Sequence, residues 1–234
     1  MAKPVCLITG VGDGTGAAVA RRFTQGGYRI AMLARKPERL EALEKELADS
    51  RAYVCDVADL DRLVRVCRSV RDEMGCPEVI VHNAVRATFK NFLEAEPEEL
   101  ERNFRVNTTS LLYMARELAP AMIERGHGAI VVTGNTAALR GVPNYALFAP
   151  TKAAQRILAE SLARHLGPQG IHVAYVVIDA AINTPWTRDK FRPDEPEEFF
   201  SQPDEIAEEV YHVVHQGRSV WSFEVTVRPF GEKW

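Results

Sequence analysis

The chain has 234 residues, 46% of them hydrophobic, and a formal net charge of −3 with acids and bases interspersed. That length and apolar content suffice to bury one large α/β core. The mixed charge excludes a basic nucleic-acid-binding face, and the lack of any apolar run approaching about eighteen residues excludes a membrane-spanning helix.

In chain order, the first apolar run, Val5–Thr9, is too short for the hydrophobic part of a signal peptide and reads as a strand, which points to the cytoplasm. Further strands are expected at Tyr28–Leu33, Ala52–Cys55, Val79–Val81, Ala129–Thr133, His172–Ile178 and Glu224–Val227. Near-continuous apolar strands belong to parallel sheets covered by helices on both faces. Between them, Leu40, Leu43 and Leu47 mark one amphipathic helix, and Leu63, Val64, Cys67 and Val70 another. A longer helix over about 98–123 carries a stripe at Leu100, Phe104, Asn107, Leu111, Met114 and Leu118. The next runs from near Thr151 to Leu166, with Ala154, Ile157, Leu158, Ser161 and Leu162 inward. This alternation predicts a doubly wound, seven-stranded parallel sheet of Rossmann type in a single domain, 1–234. The weakly patterned stretch at about 183–202 holds Trp186, Phe191, Phe199 and Phe200 among prolines and acids, and is expected to be a lid over a substrate.

Metal chemistry finds no support. Cys6, Cys55, Cys67 and Cys76 form no Cys-x-x-Cys pair and read as reduced thiols. His212 and His215 share i,i+3 spacing, but nothing nearby completes a ligand set, so no metal is expected.

The glycines carry more. Thr9-Gly-Val-Gly-Asp-Gly-Thr-Gly16 follows the first strand and opens the first helix, and a second strand follows about 20 residues on. Glycines at 10, 14 and 16 allow a tight turn and close approach to a pyrophosphate, whose charge would sit on the helix N-terminus beside Thr15. The second strand ends Met32-Leu33-Ala34-Arg35-Lys36, with no carboxylate to repel a 2′-phosphate and Arg35 to attract one. NADP(H) is therefore preferred, with NAD(H) possible. Asp13 in the glycine loop is a contrary charge, and an ordinary basic helix approach is the other explanation of Arg35-Lys36.

Together these segments resemble the short-chain dehydrogenase/reductase family over essentially the whole chain. Thr9-Gly-x-x-x-Gly-x-Gly16 matches its glycine signature, Asp56-Val57 is similar to its adenine-contacting pair, and His82-Asn-Ala-Val85 resembles its Asn-Asn-Ala-Gly segment. The resemblance implies cofactor contacts at Gly10, Gly14, Thr15, Gly16, Arg35, Asp56, Val57, Asn83, Ala84, Lys152 and Thr184. It also implies that Asn107 holds a water near the active-site lysine. Independently, Asn107 lies on an apolar stripe, where a buried amide needs partners.

The family's proton machinery is a serine after strand five and a Tyr-x-x-x-Lys motif. Here Asn135 aligns with the serine and Phe148 with the tyrosine, while Lys152 is retained. Asp179-Ala180 stands where the family has Pro-Gly, although Thr184 keeps its place. The chain resembles a divergent branch with phenylalanine before a retained lysine. The resemblance implies an NADP(H)-dependent oxidoreductase acting on a small or medium carbonyl or alcohol, with an atypical site formed by Asn107, Asn135, Phe148 and Lys152. Asn135 retains an amide donor for a carbonyl oxygen. Tyr145, Lys152, a water between Lys152 and Asn107, and His82 remain open as proton sources, packing at a strand end being the stronger expectation for His82. Two other functions stay open. One is a catalytically inactive NADP(H)-binding sensor or structural partner subunit; the other is a hydride reaction that needs no proton donor, or a non-redox step such as elimination or aldol-type cleavage. The resemblance further implies a homodimer or homotetramer, assembled through the helices at about 98–123 and 151–166 and the C-terminal strand.

Overall fold

Five consecutive buried residues, Val5–Thr9, form the strand β1 in a computed structural model that describes residues 3–231. Residues 1, 2 and 232–234 of the expected domain lie outside the described residues. In chain order there follow α1 (Thr15–Gln25), β2 (Arg29–Ala34), α2 (Pro37–Glu46), β3 (Ser50–Val54), α3 (Leu60–Met74), β4 (Val79–His82), α4 (Pro97–Phe104) and α5 (Ser110–Arg125). The second half comprises β5 (Gly128–Asn135), α6 (Ala149–Leu166), β6 (Ile171–Ile178), the short β7 (Ala181–Ile182) and β8 (Phe200–Ser201), α7 (Pro203–Val214) and β9 (Glu224–Val227). The seven-stranded sheet has the order β3-β2-β1-β4-β5-β6-β9, with every pairing parallel.

Apolar residues on alternate sides of each strand supply two cores. Leu7, Ile80 and Val132 pack with Leu63, Leu111 and Ala159 on one face. Ile8, Val81 and Val131 pack with Val19, Leu40 and Val210 on the other. Local signals place the helices: proline occupies the first turn of α2, α4 and α7, where its missing N–H is harmless, and the Asp59 carboxylate caps α3 by accepting from Arg62 N–H at 2.9 Å. The strand order reverses between β1 and β4, which opens a crevice beyond their carboxyl ends.

Three expectations need correction. The helix expected over 98–123 is broken by a π-turn at Arg105–Thr109, which joins α4 to α5. Such a widened turn rotates the following residues relative to an ideal helix, and Val106, Asn107 and Ser110 all fall on the buried side. On α6 Leu158 and Leu162 pack on the core as expected, but the fully buried residues include Thr151, Lys152, Gln155, Ala159 and Leu166, whereas Ile157 is 55% exposed and Ser161 also faces out. The polar residues turn inward because the core offers them partners, described below. The 183–202 stretch is also more regular than a plain loop. β7 pairs in parallel with β8, and Asn183 Nδ2 donates to Glu197 Oε1 and Gln202 Oε1, both at 2.9 Å. Arg188 pairs with Glu197 and lies 4.3 Å over the Phe200 ring. Trp186 and Phe191 stack on each other and stay exposed, while Phe200 is buried.

No helix among the described residues is long and apolar enough to cross a membrane. Just beyond the ends of β1 and β4, Gly10 lies against Ala84: its φ of 69° is left-handed, and an added Cβ would lie 2.6 Å from Ala84 Cα. Gly10→Ala is therefore expected to destabilise the fold by about 1–3 kcal/mol in urea unfolding, because backbone on both sides must move. An unchanged midpoint would show that the loop has slack there.

Candidate active site

The crevice is a cleft of about 340 Å³ whose floor is the glycine loop. Gly16 has no room for a side chain, since a Cβ would meet Gly10 O at 2.5 Å, and a Cβ on Gly14 would meet Thr184 Cγ2 at 2.9 Å. Thr184 therefore packs on the loop it was expected to serve. α1 begins at Thr15 without a side-chain cap, and Thr15 Oγ1 is buried and, among the described residues, has no hydrogen-bond partner. A buried hydroxyl left open in a cleft is a seat for a ligand oxygen.

Asn83 fixes the loop. Its backbone N–H and that of Ala84 donate to Thr9 Oγ1 at 3.1 and 3.2 Å, and its Nδ2 donates to Gly10 O at 3.0 Å. Its Oδ1 accepts from Thr133 Oγ1 at 2.9 Å, so one amide binds β1, β4 and β5 together.

Arg35, Lys36, Arg39 and Arg86 line the cleft against a single carboxylate, Asp56. Asp56 Oδ1 accepts from Ala58 N–H at 3.0 Å, which folds the turn that buries Val57 against the core. Asp13, the contrary charge, is paired with Arg39 Nη2 at 2.8 Å. Sequence reasoning overlooked Arg39; the signal was its place in the first turn of α2, within reach of the loop. A glycine cradle, an open hydroxyl and surplus cations together fit an extended polyanion such as a dinucleotide phosphate.

The four residues expected to do chemistry stand apart from those lining this cleft. The Asn107 amide is fully engaged. Its Oδ1 accepts from Arg86 N–H at 2.9 Å, and its Nδ2 donates to Arg86 O at 2.9 Å and to Thr151 Oγ1 at 2.8 Å. Asn135 ends β5 and accepts from Ala137 N–H at 3.2 Å, which leaves its amide nitrogen available. Phe148 is 3% exposed and packs edge-on against Phe89 and Tyr145, with ring centroids 5.4 and 5.9 Å away. Tyr145 lies before α6 rather than on it. It faces a separate cavity of about 870 Å³ lined also by Val142, Pro143 and Ala153.

Lys152 is 1% exposed and donates to Thr133 O at 3.3 Å and to Gln155 Oε1 at 2.5 Å. Tyr175 OH donates to the same Oε1 at 3.2 Å. Gln155 must then point its Nε2 at His82 Nδ1, 3.2 Å away. That fixes the histidine as the Nε2–H tautomer, which donates to Ser110 Oγ at 2.8 Å, and Ser110 donates to Val106 O at 2.6 Å. Every bond in this chain has one donor and one acceptor. Burial pushes the His82 imidazole down to about 3, helped by the nearby Lys152 charge, and pushes the Lys152 ammonium down to about 7. His82 faces α5 and α6 rather than the cleft, so it packs at the end of β4 as a polar link. Sequence reasoning missed Gln155, Ser110 and Tyr175. The first two are signalled only by polar residues on helix faces that otherwise bury apolar ones. Thr133 joins network to cleft, because its carbonyl accepts from Lys152 and its hydroxyl donates to Asn83.

Comparison with known proteins follows the same lines. A family model described as short chain dehydrogenase matches residues 4–195. The chain is 34% identical over 168 residues to D-erythrulose reductase of Gallus gallus, covering 71% of this chain and 67% of that protein. It is similar in structure to a metagenomic short-chain oxidoreductase in complex with NADP, at 27% identity, a TM-score of 0.85 and 98% of both chains. It also resembles an alcohol dehydrogenase from the archaeon Thermococcus sibiricus complexed with 5-hydroxy-NADP, at 26% identity and a TM-score of 0.88, over 99% of this chain and 98% of that one.

The neutral His82 has a thermodynamic signature. Its folded value of about 3 lies below the ordinary 6.5, so between those pH values the unfolded chain binds a proton that the folded chain refuses. Stability is therefore present above 6.5 and falls as pH drops toward 3. In urea unfolding, wild type should lose about 2 kcal/mol more than His82→Asn on going from pH 7.5 to pH 5.0. Equal losses would mean that His82 is not held neutral.

Proposed function

The chain belongs to the short-chain dehydrogenase family, and on that premise we propose that it is an NADP(H)-dependent oxidoreductase of small or medium carbonyl or alcohol compounds, with an atypical proton-handling site. The observation that carries this reading is the cleft lining, in which cations surround a glycine cradle whose Thr15 hydroxyl has no partner among the described residues. When bound, NADP(H) supplies or accepts a hydride. The chain's own residues do the rest.

Gly10, Gly14, Gly16 and Thr15 Oγ1 bind the diphosphate, with Thr184 packed against the loop. Arg35 and Lys36 bind the 2′-phosphate; Arg39 is spent on Asp13, and this removes the acid that would have opposed NADP(H). NAD(H) lacks that phosphate and binds more weakly. Asp56 and Val57 border the adenine, and Asn83 and Ala84 shape the crevice wall. The structures of the two NADP-bound relatives support the choice of cofactor, and the activity in the name of the Gallus gallus relative supports a small carbonyl substrate.

Phe148 cannot give a proton, and loss of a positioned general acid costs about 10²–10⁴ in rate. Asn135 donates its free amide N–H to the substrate oxygen. Lys152, held near neutrality by burial, stores at Nζ the proton that oxygen requires. Asn107 supports the site from behind through Thr151. The protein acts in the cytoplasm as a homodimer or homotetramer, a role supported by exposed Leu112 on α5 and Ile157 on α6.

Two measurements test this. Saturating NADPH should raise the melting temperature by several degrees and NADH by less, with the difference lost in Arg35→Ala; a ligand at about a hundredfold its Kd adds about 2.7 kcal/mol. Equal shifts from both dinucleotides in wild type would remove Arg35 from its role. The double variant Phe148→Tyr with Asn135→Ser should raise carbonyl-dependent NADPH oxidation by tenfold or more, on the order of the lower bound for a restored general acid. Silence across a broad carbonyl panel would point instead to a cofactor-sensing or structural protein.

A further inference from the structure

Among the described residues lining the cleft, Arg86 is the cation that the dinucleotide reading leaves without a task. Its position is imposed from behind. Asn107, on the π-turn between α4 and α5, clamps the Arg86 backbone at both N–H and C=O with two 2.9 Å bonds. Asn107 is itself anchored to Thr151 on α6, immediately before Lys152. The Arg86 side chain therefore leaves a fixed backbone and enters the cleft wall beside Val85, Val106 and Ile182. Its Nε is buried and, among the described residues, has no hydrogen-bond partner.

A guanidinium stays charged at any physiological pH, and its planar fork of donors matches a carboxylate or phosphate. Leaving a buried donor of such a group unpaired is unfavourable, so the site is built for an anion that arrives from outside. The cofactor's own anionic groups already have seats, the diphosphate on the glycine loop with Thr15 and the 2′-phosphate at Arg35 and Lys36. We propose that Arg86 binds an anionic group of the substrate, so that the preferred substrate is a small carbonyl or alcohol compound bearing a carboxylate or phosphate. Asn107 is then a positioning residue for Arg86. This rests on the dinucleotide reading of the cleft.

The test uses full-length wild type, Arg86→Gln and Arg86→Lys. Oxalate, succinate and inorganic phosphate are titrated onto the NADP⁺-saturated protein and onto the free protein, with melting temperature as readout. At least one anion should give a saturable shift in wild type that is abolished in Arg86→Gln and partly kept in Arg86→Lys. The NADPH Kd should change less than about twofold in both variants. With succinic semialdehyde and its uncharged methyl ester as paired substrates, wild type should favour the charged one at least tenfold in kcat/KM, and Arg86→Gln should lose that preference. Three results would overturn the proposal: no response of wild type to any anion, an anion response that survives Arg86→Gln, or a rise of tenfold or more in NADPH Kd on Arg86→Gln. The last would assign the guanidinium to the cofactor diphosphate. Failure of wild type to bind any dinucleotide would defeat the cofactor reading separately, since the anion titration on the free protein still reports on Arg86.

Discussion

An ammonium group buried in a protein core is tolerable only where hydrogen-bond acceptors replace the water it has lost. Lys152 meets that condition with two, the Thr133 carbonyl and the Gln155 amide oxygen. Much of the surrounding architecture follows from this one burial. Gln155 accepts from Lys152, so its other end must donate, and a histidine ring at the end of β4 receives that bond. The ring passes the requirement to Ser110, and Ser110 to the Val106 carbonyl in the π-turn. A widened helical turn, an inward-facing glutamine and a neutral histidine are thus parts of one accounting of donors and acceptors. Removing any member leaves a buried polar group unpaired, which is costlier than never having had the pair.

The same lysine ties the core to the crevice. Thr133 takes the Lys152 bond on its carbonyl and gives its hydroxyl proton to Asn83, and Asn83 grips the glycine loop. The crevice and the polar network are therefore separated by a single residue of β5. The π-turn reaches the crevice by a second route, through Asn107 to the Arg86 backbone. Two short hydrogen-bonded paths, starting from the adjacent Thr151 and Lys152, thus hold the crevice wall, which explains how the crevice and the buried polar network can sit on different elements and keep fixed relative positions.

The strands were legible because burial on both faces demands near-continuous apolar runs, and β6, buried at every residue, is the clearest case. The glycine loop was legible because Gly10 and Gly16 have no alternative: backbone atoms occupy the space a side chain would need. The inward face of α6 was not. Leu158 and Leu162 do pack on the core, but Ile157 faces out, and Lys152 and Gln155 turn inward because partners from β4, β5 and β6 await them. Periodicity counts apolar residues and cannot see acceptors supplied by distant strands. The π-turn was hidden for a related reason: its residues, Arg105 to Thr109, carry no breaker, and only tertiary contacts at Asn107 and Ser110 set it apart. The pairing of Asp13 with Arg39 escaped because it joins the glycine loop to the first turn of α2, and only the folded sheet defines that distance.

Gly134 on β5 carries one more consequence. A Cβ there would fall 2.0 Å from the Tyr175 ring, so the phenol of β6 fills the volume that its neighbour on β5 leaves vacant. The two positions form a lock whose halves cannot be exchanged separately: enlarging 134 expels the ring, and shrinking 175 opens a hollow beside Gln155. Relatives that place a bulkier residue on β5 at this point must carry something smaller on β6, and substitutions at the two sites should be strongly non-additive.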